Sequence, residues 1–165
     1  MATENVKSGA ITNRDAIPSV LNNAQGAVVR RTWGTVEAAA AADTGSTYRI
    51  CTIPSNARAI DVILACDDLG TTATLDVGIY QTTANGGAVV DADFFASAVN
   101  ANSAAVAPTH VEHESGVYNI DDIEKPLWEA LGLTSDPNRD YDVVVTSAGD
   151  IDANGTITLK VSFVA

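Results

Sequence analysis

Among the residues of this chain that could do chemistry, the densest group is His-Val-Glu-His-Glu at positions 110–114. On an extended strand, successive side chains point to opposite faces. His110, Glu112 and Glu114 would then share one face, with His113 on the other. An imidazole and two carboxylates form a donor set that a divalent metal accepts. The two-histidine helix signature of a zinc hydrolase is absent, and no further Cys or His pair completes a tetrahedral shell. The competing reading is a polar strand edge facing water, and no metal ligand is assigned.

Other constellations are weaker. Asp150, Asp152 and Asn154 alternate before Gly155, as in a calcium loop, but the twelve-residue spacing and closing Glu are missing. A hairpin turn explains them as well. The adjacent carboxylates Asp67–Asp68 and Asp121–Asp122 could exchange protons with a substrate, yet such pairs are ordinary in turns and helix starts. No nucleophile elbow or phosphate loop occurs. Trp33, Tyr48, Tyr80, Tyr118 and Trp128 could line a sugar-binding face, or pack singly in a core or interface. Neither catalytic residues nor a cofactor are expected. Cys51 and Cys66 fall in expected strands. Buried thiols are the simpler reading, and a bridge would need neighbouring strands in an oxidising compartment.

The elements that must position these groups are mostly strands. Ile60, Val62, Leu64 and Cys66 alternate with polar residues, and so do Ala73, Leu75, Val77 and Ile79. Residues 58–81 therefore read as two half-buried strands, with Asp67, Asp68, Gly70 and Thr71 as a hairpin turn. Further strands are expected over 27–36 and over 47–53, the latter stopped by Pro54. Residues 37–46 read as a loop. Residues 88–99 are expected to start as a strand and pass into a helical turn that packs Phe94, Phe95 and Val99 inward. Residues 109–118 read as extended. Ile123, Leu127, Trp128 and Leu131 keep helical spacing, with Pro126 near the start and Gly132 at the stop. The C-terminus reads as a hairpin, in which Ile157, Leu159, Val161 and Phe163 alternate with Thr158, Lys160 and Ser162. The expected fold is all-β: a jelly-roll-like β-sandwich with one or two short helices and an extended N-terminal arm.

Two divisions run along the chain. Residues 1–26 hold single apolar residues among Asn, Ser, Thr and Gly, with no regular period. They are either a frayed terminus or an arm that orders against another chain; residues 27–165 form the expected domain. Charge divides similarly. The formal net charge is −12, but residues 1–58 carry six of the nine Lys/Arg and four of the 21 Asp/Glu. An acidic body disfavours nucleic acid, whose binding rests on neutralised phosphates. No apolar run reaches the roughly 18 residues of a membrane span, and the first residues lack a hydrophobic signal core. Synthesis and use without export, and without membrane insertion, are expected.

Several stretches together resemble a known family. They are VKSGAITNRD followed by a Val/Arg strand, STYRICTIPSNARAIDVILACDDLG, TLDVGIYQTTANGGAVVDADFFASAV and the final YDVVVTSAGDIDANGTITLKVSF. In wording and order the chain resembles head decoration, or cement, proteins of tailed bacteriophage virions. The resemblance implies a non-enzymatic protein made in the host cytoplasm and bound to the outer surface of the capsid. Such proteins reinforce joints between capsomers of the major capsid protein, often near local three-fold axes and often as homotrimers. It implies that the arm docks on the shell. Ile11, Ile17, Val20 and Leu21 are then its apolar anchors, and Lys7, Arg14, Arg30 and Arg31 would meet acidic capsid groups. A fibre or head-appendage domain binding host-surface glycans is the alternative, and it needs the aromatics on one concave face.

Overall fold

The computed structural model describes residues 6–18 and 28–165. Among the described residues, eight stretches form strands: β1 (Val29–Ala38), β2 (Thr47–Pro54), β3 (Arg58–Cys66), β4 (Thr74–Gln81), β5 (Val89–Asn100), β6 (Val106–His110), β7 (Asp140–Ser147) and β8 (Gly155–Val164). They make two four-stranded sheets, in the orders β1-β8-β3-β6 and β2-β7-β4-β5. All pairings are antiparallel. Every connection between consecutive strands except β4–β5 passes from one sheet to the other. This is jelly-roll connectivity, in which two packed sheets share one core.

The alternating residues behave as their period requires. Ile60, Val62, Leu64 and Cys66 of β3 and Ile157, Leu159, Val161 and Phe163 of β8 are buried between the sheets. Their partners are wrong in the hairpin reading, however. β3 and β4 lie in different sheets, and so do β7 and β8. The stretch after Cys66 crosses the sandwich edge rather than reversing in plane. Leu69 plugs the crossing, fully buried. Its N–H donates to the Ala101 carbonyl (3.2 Å), and its carbonyl accepts from Asp152 and Ala153 (both 3.2 Å).

Residues 88–99 also depart from expectation. They form one continuous strand, with no helical turn. The strand is strongly bulged: between Val77 and Ile79 of β4, its partner advances from Ala96 to Asp91. Bulges free β5 from strict alternation, so Phe94, Phe95 and Ala96 are buried in succession. Phe94 and Phe95 lie with ring centroids 5.0 Å apart, and each is 5.6 Å from Tyr118. This aromatic cluster adds bulk to a core otherwise built mostly from Val, Ile, Leu and Ala. Gly78 is what lets the bulge close: a Cβ there would lie 2.2 Å from the Asp91 carbonyl oxygen and 2.3 Å from the Ala92 carbonyl.

The helices are short. α1 (Gly9–Asp15) interrupts the arm, which was expected to be extended throughout. Ser8 starts it, accepting from the Ile11 N–H at 3.4 Å, which supplies one missing partner of a helix start. Lys7 pairs with Asp15 at 2.8 Å. α2 (Leu127–Ala130) is one turn only. Its first N–H groups are tied to the β2–β3 corner, Leu127 to the Ala57 carbonyl (2.8 Å) and Trp128 to that of Ser55 (3.0 Å). Gly132, at φ +75°, ends it, as a left-handed stop does. Leu127 is buried, but Ile123 is exposed, so the expected four-residue apolar face is not formed. No helix among the described residues is long and apolar enough to cross a membrane.

Gly78→Ala is therefore expected to destabilise the sandwich by about 3 kcal/mol or more, because the added carbon meets backbone that cannot move aside. Urea unfolding of the variant beside the parent chain measures this, and equal midpoints would contradict the packing described.

Candidate functional site

The His110 group does not form as the strand spacing suggested. β6 ends at His110, and the chain then turns. Glu114 swings away and accepts from the Ser97 N–H at 2.6 Å. His113 stacks on Tyr118 with centroids 5.3 Å apart, its Nδ1 2.9 Å from the Tyr118 carbonyl oxygen. Asp61, on the neighbouring β3, takes the vacated place. Its Oδ1 lies 2.6 Å from His110 Nδ1, and Glu112 Oε1 lies 3.6 Å from the same nitrogen. One ligand atom from each of Asp61, His110 and Glu112 lies within 4.8 Å of the others. The other Glu112 oxygen accepts from the Val62 N–H at 3.2 Å. The group acts as a clasp that fastens the edge strand β6 to β3.

Most of the remaining acidic candidates are engaged in turns and corners. Asp152 accepts from both the N–H and the hydroxyl of Thr71, each at 2.7 Å. Asp150 Oδ1 accepts from the Thr44 N–H (2.9 Å) and hydroxyl (2.7 Å). Asn154 accepts from the Ala40 N–H at 2.7 Å. The stretch that resembled a calcium loop, or a hairpin turn, thus ties three crossings together. Asp67 accepts from the Thr156 N–H at 3.0 Å, and Asp122 accepts from Lys125 (2.6 Å) and from the Asn119 N–H (3.0 Å).

The threonine hydroxyls and N–H groups hold the Asp150 and Asp152 carboxyls below the usual aspartate range. A carboxyl that releases its proton more readily when folded stabilises fully above its unfolded value, about 3.9. That contribution disappears as pH falls through the lower folded values. The melting temperature is therefore expected to fall below about pH 4, and the fall should be shallower in an Asp150→Asn, Asp152→Asn double variant. Parallel acid limbs in the two melting series would remove these carboxylates from the account.

The aromatics do not converge. Tyr118 is in the core. Tyr80 lies on the other sheet beneath Arg49, whose guanidinium carbon is 5.4 Å from the ring centroid. Arg49 is held there by Asp142 at 2.8 Å and by the Gln81 and Gly87 carbonyls. Trp33 stands on the opposite sheet, 70% exposed. Tyr48 is partly buried against the core. Tyr118, Tyr80 and Trp33 share no face.

Cys51 and Cys66 are buried free thiols on β2 and β3, in different sheets. Burial pushes the Cys51 thiol up to about 11 and raises that of Cys66 as well. Thiolate is the reactive form, so a disulfide-exchange reagent at pH 8 is expected to label neither cysteine in the folded protein and both after unfolding. Rapid native labelling would refute the inertness argued from burial.

The arm candidates divide. Lys7 is exposed in its pair with Asp15, Ile11 is half-buried, and Ile17 is fully exposed. Val20, Leu21 and the side chain of Arg14 lie outside the described residues. Arg30 and Arg31 are exposed on β1, where Arg31 Nε donates to Ser162 Oγ at 2.9 Å. Sequence reasoning left Trp33 in a set of scattered aromatics. The signal was its parity: Val29, Arg31 and Trp33 stand two apart on a strand and share its outer face.

The class these elements define is an eight-stranded jelly roll whose polar clusters are mostly committed to holding its corners. A solved structure described as the cyanophage Pam1 capsid asymmetric unit contains a chain of similar fold, with a TM-score of 0.53 and 19% identity. The similarity covers 99% of this chain and 99% of that one. No protein-family model matches the chain, and neither does any curated sequence.

Proposed function

We propose that the protein is a non-enzymatic part of a phage head: a decoration, or cement, protein on the outer surface of the capsid. It binds the major capsid protein and holds capsomers together at their joints. The observation that carries this reading is the end-to-end correspondence of fold with a chain of a phage capsid. The resemblance of the sequence to cement proteins supports it from another side. A shell under internal pressure separates at its joints, and a rigid sandwich placed across a joint resists that separation.

In this reading residues 1–26 are a docking arm and the remainder is the body. Ordering an arm costs backbone and side-chain entropy, so it needs apolar anchors. Ile11 and Ile17 fill that role among the described residues, with Val20 and Leu21 beyond them. Association as a homotrimer would multiply modest contacts by avidity.

Co-sedimentation with expanded, undecorated shells of the cognate phage tests the proposal. The intact chain is expected to bind saturably, and a chain lacking residues 1–26 to bind much more weakly. Equal binding of both would move docking from the arm to the body. Failure of the intact chain to bind would overturn the cement reading.

A further inference from the structure

We infer that Asp61, His110 and Glu112 form a binding site for a divalent transition-metal ion of the zinc type. The inference stands on the sheet alone and goes beyond the proposed role at the shell.

Strand register builds the group. Ile63 of β3 lies opposite His110 of β6. The ladder runs one rung further, with the Val111 N–H donating to the Val62 carbonyl at 2.9 Å. Continued by one more residue, the same register sets Glu112 opposite Asp61. Side chains two apart on a strand share a face, so Asp61, Ile63, His110 and Glu112 stand on one side of the sheet. That side is the outer one, because Val62, Leu64 and Val111 are buried on the inner. Asp61 thus supplies the third donor that Glu114 does not. All three donors stand on backbone that the sheet holds in place, which is the support a metal site needs.

The distances suit an ion. Metal–ligand bonds of about 2.0–2.2 Å set neighbouring donor atoms roughly 3.0–3.6 Å apart. His110 Nδ1 and Glu112 Oε1 already lie 3.6 Å apart. His110 Nδ1 and Asp61 Oδ1, at 2.6 Å, need part by only about half an ångström for the ion to replace the hydrogen between them. With its hydrogen on Nε2, the neutral ring presents the Nδ1 lone pair to the ion. Glu112 Oε2 accepts from the Val62 N–H at 3.2 Å. That bond orients the carboxylate and turns Oε1 to the ion, as outer hydrogen bonds do for ligating groups.

The chemistry of the donors selects the ion. Two carboxylates converge on one imidazole, whose single positive charge when protonated balances one of them. Among the described residues, neither carboxylate pairs with a lysine or arginine. A divalent ion balances both. The imidazole nitrogen favours zinc and its neighbours over magnesium, and calcium prefers six to eight oxygens. Three protein ligands leave a position for water. The His110 side chain is 63% exposed, so the ion has a path from solvent. Bound there, it ties the edge strand β6 to β3 by coordination.

Zinc is the probe. The full chain, freed of metal with a chelator, is titrated with zinc chloride by calorimetry and melted with and without zinc. It is expected to bind a single zinc ion per chain and to melt at a higher temperature with zinc, as a ligand of the folded state alone requires. Loss of an outer partner of a metal site costs about 10- to 100-fold in affinity. Asp61→Asn, His110→Gln and Glu112→Gln each remove a ligand, so each is expected to lose at least that and the zinc-dependent rise in melting. Melting without zinc checks that each variant folds. The chain has two histidines, and on zinc addition to the parent the His110 ring signals should move in NMR while those of His113 stay. Absence of zinc binding by the parent overturns the inference. Parent-like affinity in all three variants, or shifts confined to His113, does so too. Binding of calcium in place of zinc overturns the assigned class of ion. The measurements use the free protein, so their failure leaves the cement reading standing.

Discussion

The sandwich depends on carboxylate oxygens that accept backbone N–H groups at several of the places where the strand ladders give out. A jelly roll moves its chain from sheet to sheet at nearly every connection, and each crossing leaves N–H groups without ladder partners. A buried or half-buried N–H without an acceptor costs as much as a lost hydrogen bond. Here Asp67 serves Thr156, Asp150 serves Thr44, Asp152 serves Thr71, and Glu112 serves Val62. The bulge of β5 is held likewise: Asp76 accepts from Ala98 at 2.7 Å and Glu114 from Ser97. Hydrogen bonds to ionised acceptors are stronger than neutral ones. Part of the chain's acidity is thus a structural property.

That use of acids explains what was and was not legible in the sequence. Alternation in β3 and β8 reported which side chains face the core, because period two follows from strand geometry alone. It carried no information about which strand lies alongside. Asp67, Asp68, Gly70 and Thr71 are types that favour a tight hairpin and an edge crossing equally. The fully buried Leu69 between them was the one sign that the segment is packed rather than looped out. Residues 88–99 were misread for a related reason. Two adjacent phenylalanines break a simple alternation, and a helical turn buries both without a bulge. The bulge becomes possible only through Gly78 on another strand, a tertiary fact that a local pattern does not contain. The 119–132 segment shows the converse case. Helical spacing was present, but Pro126 stands extended just before the helix and Gly132 ends it at positive φ, leaving one turn whose first N–H groups donate to the Ala57 and Ser55 carbonyls.

The candidate sites follow the same division. His-Val-Glu-His-Glu looked like one face of a strand, but β6 stops at its first residue, and Asp61 from fifty positions upstream completes the group. A contact between strands so distant in sequence leaves no local mark. The charge asymmetry, by contrast, was visible directly. The structure adds that Arg31 stands on the outer face of β1 together with an exposed tryptophan.

The distribution of charge follows from the same commitment. Carboxylates committed to N–H groups are fixed in place and cannot swing to neutralise distant cations. Among the described residues, Arg31 and Lys160 form no ion pair although the protein as a whole is strongly negative; the acids on their face, Glu37 and Asp61, bond to Thr156 and His110 instead. The negative field suppresses unspecific association between copies and with other polyanions. A body that commits its acids to its own corners is thereby held together where its strand ladders stop.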